Sequence, residues 1–316
     1  MAARVTIFGA VMFLAAAAVA PFVPPWLLSL MTIAFANALV VLGLVVMWRA
    51  GLVSFGQALY YCIGAYAVAL LVRWGNVTDA FVLVLAGGLA AGLMAAIVGF
   101  LLARYREIFF AMLSLALSMI LYGALVKTES LGSTDGFTIV NQTFLGYAPH
   151  GAAYGRALYW LVLAVCAIAA LLVGAYFRSV AGALAVPIRD NEIRVEFLGI
   201  SVTHLIHIKV VIAGVLGGFG GALAAMTIGH VDPNMAYWTT SGGFVFVTIL
   251  AGAGSVAAAF VGSLVFEFVR SFAVATLPHL WQLILGSVLL LTILFLPDGF
   301  GSLFTRLRRR PKAEAS

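Results

Sequence analysis

Apolar residues occupy long, nearly uninterrupted stretches of this chain, at residues 5–22, 26–48, 52–72, 79–102, 107–126, 157–177, 208–229, 243–252, 255–276 and 281–296. Most of these runs lack strict amphipathic periodicity, the pattern of helices surrounded by lipid and by other helices. Breakers separate them: Pro24-Pro25, Arg49, Arg73 to Asp79, Arg104 to Glu107, and the polar stretches 127–156 and 178–207. About twenty apolar residues make one helical crossing of a hydrocarbon core about 30 Å thick. The pattern therefore predicts an all-α polytopic integral membrane protein of about ten transmembrane helices. The run 243–252 is too short to cross at about 1.5 Å per residue. Gly242, Gly243, Gly252 and Gly254 around it predict a short, broken or re-entrant helix, which is tolerated where it faces a cavity or other protein.

Composition narrows the function class. Of 316 residues, 64% are hydrophobic and only 9% charged, whereas an ordinary soluble domain is roughly a quarter charged. A soluble enzyme, a nucleic-acid binder and a disordered tail are excluded, and lipid becomes an obligatory partner. The net charge of +6 is read as a topology signal, because cytoplasmic loops retain Lys and Arg. With ten spans and both termini in the cytoplasm, 13 of the 17 Lys and Arg lie inside. Arg73, Lys127 and Arg156 lie outside and Arg270 falls within a span. Nine spans would leave the basic tail, Arg306 to Lys312, on the wrong side. The expected organisation is a transmembrane domain over 1–305, carrying the cytoplasmic loop 178–207, and a basic tail over 306–316.

Arg4 followed by an apolar run to Ala18-Val19-Ala20 imitates a secretory signal with its cleavage site; a retained first helix is the preferred reading. Small residues crowd the seventh run, with Gly214, Gly217, Gly218, Gly220 and Gly221 predicting close helix packing. Cys62 and Cys166 both sit in apolar runs and read as small buried hydrophobes with neither disulfide nor metal spacing.

No catalytic constellation or phosphate-binding loop is present in the sequence, so the chain reads as a transport protein and not an enzyme. His204 and His207 are three apart, as two metal ligands on a helix would be, but interfacial polar residues are the preferred reading, and no metal site is expected. Glu267 with Arg270 at i+3 is an intramembrane ion pair, read as mutually neutralising or snorkelling. A proton-driven carrier would need a fuller relay of buried acids, so energy is expected to come from elsewhere. Asn37, Gln57, Ser114, Ser118, Thr227 and Thr248 are candidate polar pore residues, with helix-packing contacts the alternative for each.

The most informative polar stretch is 178–207. Asp190 or Asn191 can cap a short helix, with Glu192 favoured near its positive end. Ile193 and Phe197 lie at i and i+4 on one face, and Gly199 provides a stop. A two-turn amphipathic helix is expected, presenting a hydrophobic ridge bordered by Asp190, Glu192 and Glu196. That acidic border suits a protein partner better than anionic lipid.

Ile188-Arg-Asp-Asn-Glu-Ile-Arg-Val-Glu-Phe-Leu-Gly-Ile-Ser-Val-Thr203 closely resembles the cytoplasmic loop of branched-chain amino acid ABC transporter permeases. Gly51-Leu-Val-Ser-Phe-Gly-Gln-Ala58 with Ile63-Gly-Ala-Tyr66, Gly132-Ser-Thr-Asp-Gly-Phe137 and Leu296-Pro-Asp-Gly-Phe-Gly301 are similar to further motifs of that family in order and spacing. Pro187 and the large Val195 and Phe197 depart from its usual loop. The resemblance implies a permease subunit in a bacterial inner membrane. Such a subunit works with a second related permease, two cytoplasmic ATPases and a periplasmic solute-binding protein. ATP and magnesium would be bound by the ATPases, with no cofactor in this chain. Arg189, Asp190, Asn191, Glu192, Ile193, Arg194, Glu196, Phe197, Leu198 and Gly199 would form the ATPase-coupling segment. Members of the family move branched-chain and other amino acids, urea or short amides, and aromatic acids. The competing expectations are a self-contained ion-coupled carrier or channel, and an integral membrane enzyme.

Overall fold

The computed structural model describes residues 23–139, 142–252 and 255–295, together with Ala16, Ala20 and Pro21. Apart from those three residues the first run lies outside the described residues, as do the Leu296–Gly301 motif, the basic tail and both termini. Among the described residues, seven helices are long and apolar enough to cross a membrane. They are α1 (Pro25–Trp48), α2 (Gln57–Gly75), α3 (Ala80–Leu102), α4 (Glu107–Lys127), α5 (Ala152–Tyr176), α9 (Val202–Ile228) and α11 (Val256–Thr276). Between α5 and α9 lie three short helices, α6 (Val180–Ala183), α7 (Ala185–Asp190) and α8 (Glu192–Glu196). Two shorter apolar helices complete the set, α10 (Trp238–Ala251) and α12 (Trp281–Phe295).

The core is built around α9, which packs most extensively against α3, α1 and α2. α1 is enclosed on all sides, and Leu39, Val40, Val41, Leu42, Leu44, Val45 and Val46 are wholly buried. That explains its lack of an amphipathic face, since a helix with neighbours all round has no polar side to keep wet. Small residues set the spacing, as the glycine-rich seventh run predicts. A Cβ at Gly221 would stand 1.8 Å from the Tyr61 carbonyl oxygen, and one at Gly64 would stand 2.2 Å from that of Gly218. At such distances α2 and α9 touch backbone to backbone, which only glycine permits. Both cysteines are buried and free, and the Cys166 thiol donates to the Phe35 carbonyl at 3.3 Å.

One end of the bundle is organised by Asp79. Its carboxylate caps α3 by accepting from the Phe81 and Val82 amides at 3.0 and 3.3 Å. The other oxygen accepts from Leu145 N at 2.8 Å, fastening the 140s loop to the same helix end. Nearby, β1 (Phe137–Thr138) pairs antiparallel with β2 (His230–Val231).

The short run near 243–252 is a helix of 14 residues that starts earlier than expected, at Trp238, and stops at Gly252 with φ +75°. Its length of about 21 Å falls short of the membrane core. A 3-10 turn, Pro233–Ala236, leads into it. Ser118, near the middle of α4, donates to the Ala236 carbonyl at 2.8 Å, and Tyr237 packs on Tyr122 with ring centroids 4.9 Å apart. Irregular backbone inside the membrane is therefore held against protein, where its polar groups find partners. α9 also departs from the sequence reading: it begins at Val202, so His204 and His207 belong to its first turns. His207 stacks on Phe100 at 4.3 Å, and no group of three or more potential metal ligands occurs among the described residues.

Candidate functional site

The chain between α5 and α9 leaves the helical bundle, turns four times and returns. Each turn has a local cause. Ser179 caps α6 by accepting from Gly182 N at 3.3 Å, and Asn191 caps α8 by accepting from Arg194 N at 3.1 Å. Ser201 starts α9 the same way, accepting from His204 N at 3.3 Å. These caps satisfy amides that have no partner within their own helix. Gly199 lies at φ +79°, the left-handed conformation that ends α8 and turns the chain back.

Of the two capping residues expected from the sequence, Asn191 performs the role, while Asp190 is the last residue of α7. The predicted two-turn helix is a five-residue helix, because the Leu198 and Gly199 amides reach back only three residues, to the Val195 and Glu196 carbonyls. Its faces divide as the spacing predicts. Val195 is buried at 2% exposure, whereas Ile193, Phe197 and Leu198 are 64%, 86% and 72% exposed. Arg189, Asp190, Arg194, Glu196 and Gly199 are also exposed. The result is a small apolar ridge ringed by charge, standing clear of the bundle.

Three braces keep this ridge in place. Arg106, in the turn before α4, bonds Glu192 through Nε at 2.5 Å and holds the Ala103 and Tyr105 carbonyls through Nη1 at 2.6 and 2.9 Å. Arg189 lies over Gly51, where a Cβ would stand 2.8 Å from the arginine Cγ; Gly51 opens the Gly51–Ala58 motif. Lys209 is fully buried in α9, and its ammonium donates to the Ala181 carbonyl at 3.3 Å and the Leu205 carbonyl at 3.5 Å. It therefore ties α6 to the central helix. Sequence reading missed the Arg106 and Lys209 contacts. The position of Lys209, second residue of the predicted run 208–229, was the only signal, since a cation just inside a span must find acceptors. Glu192, expected to border the exposed ridge, is instead engaged within the chain. At the end of α1, Arg49 stacks over the Phe177 ring at 4.2 Å, and partial burial lowers its pKa from the ordinary arginine value.

The candidate pore residues fall into two groups. Ser114, Ser118, Thr227 and Thr248 are hydrogen-bonded to backbone. Ser114 accepts from Phe55 N at 3.1 Å and donates to the Ala111 carbonyl at 2.8 Å, and Ser118 holds the Ala236 carbonyl. Thr227 and Thr248 return their hydroxyls to their own helices at 2.7 and 2.8 Å. With Ser241, which accepts from Ala58 N at 3.0 Å, Ser114 staples the start of α2 to α4 and α10. Asn37 and Gln57 differ. Gln57 is fully buried with neither amide atom partnered, and the Asn37 carbonyl oxygen is likewise buried without a partner. Asn37 lies beside Glu267 of α11, a contact that unites two residues singled out separately in the sequence.

A cavity of about 490 Å³ opens between α3, α5 and α9, but Tyr176 is its one lining residue with a polar side chain. A charged or zwitterionic solute would lose its hydration there without compensation, so this groove does not recommend itself as a solute path.

Compared with known proteins, the chain matches the family described as branched-chain amino acid transport system / permease component over residues 26–294. It is 26% identical over 293 residues to the high-affinity branched-chain amino acid transport system permease protein LivM of Escherichia coli (strain K12). That similarity covers 82% of this chain and 67% of the relative. LivM of Salmonella typhimurium (strain LT2) is similar to the same extent. No solved structure matches the chain.

Proposed function

Because the chain belongs to the branched-chain amino acid transport permease family, we propose that it is the membrane-spanning subunit of an ATP-driven importer. Its cargo is a branched-chain or related hydrophobic amino acid, and its place is the bacterial inner membrane. The observation that carries this reading is the braced ridge of Ile193, Phe197 and Leu198. Large apolar side chains held rigidly outside the bundle and ringed by charge have the anatomy of an interface hot spot. The partner is a cytoplasmic ATPase, which supplies the energy that this chain's own residues do not provide. ATP and magnesium belong to that partner. A second related permease completes the pore, and a periplasmic solute-binding protein delivers the amino acid.

Residues 178–207 and both termini face the cytoplasm in this reading, 127–156 faces the periplasm, and the transmembrane domain spans 1–305. Closure of the two ATPases moves the ridge, and the ridge moves the bundle through Lys209, Arg106 and Arg189. α9 receives this motion directly, and it touches α1, α2 and α3.

Two experiments test the proposal. Single cysteines at Thr138 and Ser201, in a background lacking Cys62 and Cys166, are expected to label from opposite sides of the membrane. Labelling of both from outside intact cells would refute the topology. Vesicles holding the permease pair, the ATPases and external binding protein are expected to take up leucine only with internal ATP. Uptake driven by an ion gradient through this chain alone would favour the self-contained carrier.

A further inference from the structure

α11 carries one stripe at helical spacing, Phe260, Ser263, Glu267 and Arg270, and this stripe changes character along its length. Phe260 packs on Phe35 of α1 with ring centroids 6.3 Å apart. Beyond it, polar atoms gather near the middle of both helices. Glu267 lies beside Asn37 of α1, with Arg270 as its further partner. The Arg270 Nη1 to Glu267 Oε1 distance is 3.5 Å, with side-chain exposures of 48% and 13%. The Ser263 hydroxyl and the Asn37 carbonyl oxygen are both buried and unpartnered.

We propose that Glu267 and Arg270, with Asn37 and Ser263, form a mid-membrane contact site for the charged end of a zwitterionic α-amino acid passing through the permease. This inference rests on the reading of the chain as an amino-acid importer and adds the residues that would touch the cargo.

The chemistry fits in three respects. An α-amino acid carries its ammonium and carboxylate on one carbon, so its charged end needs an acid and a base side by side, which one helical turn supplies. Glu267 accepts from the ammonium, joined by the two vacant oxygens of Asn37 and Ser263, and Arg270 donates to the carboxylate. The resident ion pair is loose: it makes a single contact at 3.5 Å, longer than a well-formed charge-assisted hydrogen bond. A pair kept only for structure inside a membrane needs tight geometry and satisfied neighbours, and this one has neither. The half-exposed guanidinium turns toward Glu267, and a cation at this depth belongs against protein or a water-filled path. Transporters commonly place such sites near the bilayer midplane, where alternating access exposes them in turn.

The test uses the full importer reconstituted in vesicles, with leucine-loaded binding protein outside and ATP inside. Glu267→Gln and Arg270→Gln are each expected to lower leucine uptake at least tenfold while the complex still assembles. The paired swap Glu267→Arg with Arg270→Glu restores the mutual attraction but reverses the site, so uptake is expected to stay at least tenfold down. Ser263→Ala, a change too small to disturb assembly, is expected to lower uptake about threefold. Uptake at the wild-type rate in the swap, or in Ser263→Ala where the charge variants fail to assemble, would overturn the site. Failure of the wild-type complex to carry leucine would overturn the assigned function and leave the site without its cargo.

Discussion

The described residues contain two ion pairs, and they differ in almost every respect. Arg106–Glu192 joins residues 86 apart in sequence at 2.5 Å, outside the spans. Its arginine makes two further bonds to carbonyls of its own turn. Glu267–Arg270 joins neighbours on one helix at 3.5 Å, inside a span, with unpartnered oxygens around it. The first pair is fully committed and fixes a loop to the bundle. The second leaves bonding capacity unused where unused capacity is expensive. Satisfied polar groups build a scaffold, and unsatisfied ones at depth invite a visitor.

The largest effect should come from destroying what the first pair supports. Phe197→Ala with Glu196→Lys removes an anchor of the ridge and reverses a charge beside it. Loss of a hot-spot side chain costs about 2 kcal/mol or more, at least tenfold in affinity. Uptake should be abolished and the ATPases lost on co-purification, while the permease still inserts. Wild-type levels of both would make the ridge a membrane-surface feature, with Glu196→Lys tightening attachment to anionic lipid instead.

Next in size are the tenfold losses expected at Glu267 and Arg270. Set beside them, the swap Arg106→Glu with Glu192→Arg sharpens the contrast. A pair that only braces should tolerate reversal of its charges, but a carboxylate at 106 cannot donate to the Ala103 and Tyr105 carbonyls, so uptake should recover part of the several-fold loss expected for Arg106→Ala alone. Surface pairs of this kind contribute about 1 kcal/mol or less. A swap at Arg106 and Glu192 as damaging as that at Glu267 and Arg270 would erase the distinction.

The smallest effect on stability is expected at Lys209. Lys209→Met keeps most of the buried volume and removes a buried ammonium along with its two carbonyl contacts, so the two changes largely offset each other. The melting temperature should move little. Hydrogen exchange of the Ala183 and Leu184 amides, which close the turns of α6, should quicken because α6 loses its tie to α9. Unchanged exchange there would mean that the loop is held by Arg106 and Arg189 without it.

Much of this was written in the order of the residues. Runs of apolar residues fix where helices cross, because a backbone in lipid must satisfy itself, and the runs at 26–48, 79–102 and 255–276 reappear nearly unchanged as α1, α3 and α11. The exposed Ile193 and Phe197 followed from i, i+4 spacing, and Gly199 from its freedom at positive φ. Glycines in the seventh run announced close packing without saying against what. The partners of each side chain were not legible, since they lie far off in sequence. Nothing near Ser114 indicates that it holds the amide of Phe55, nor anything near Glu192 that Arg106 claims it. Asn37 and Glu267 were each visible as a polar residue in an apolar run, yet only the packing of α1 on α11 makes them neighbours. Local geometry depends on nearby residues and can be read from them. Pairing depends on which surfaces meet once the chain is folded, and that is decided by the closest fit of whole helices, with Gly64 and Gly221 setting how near α2 and α9 can come.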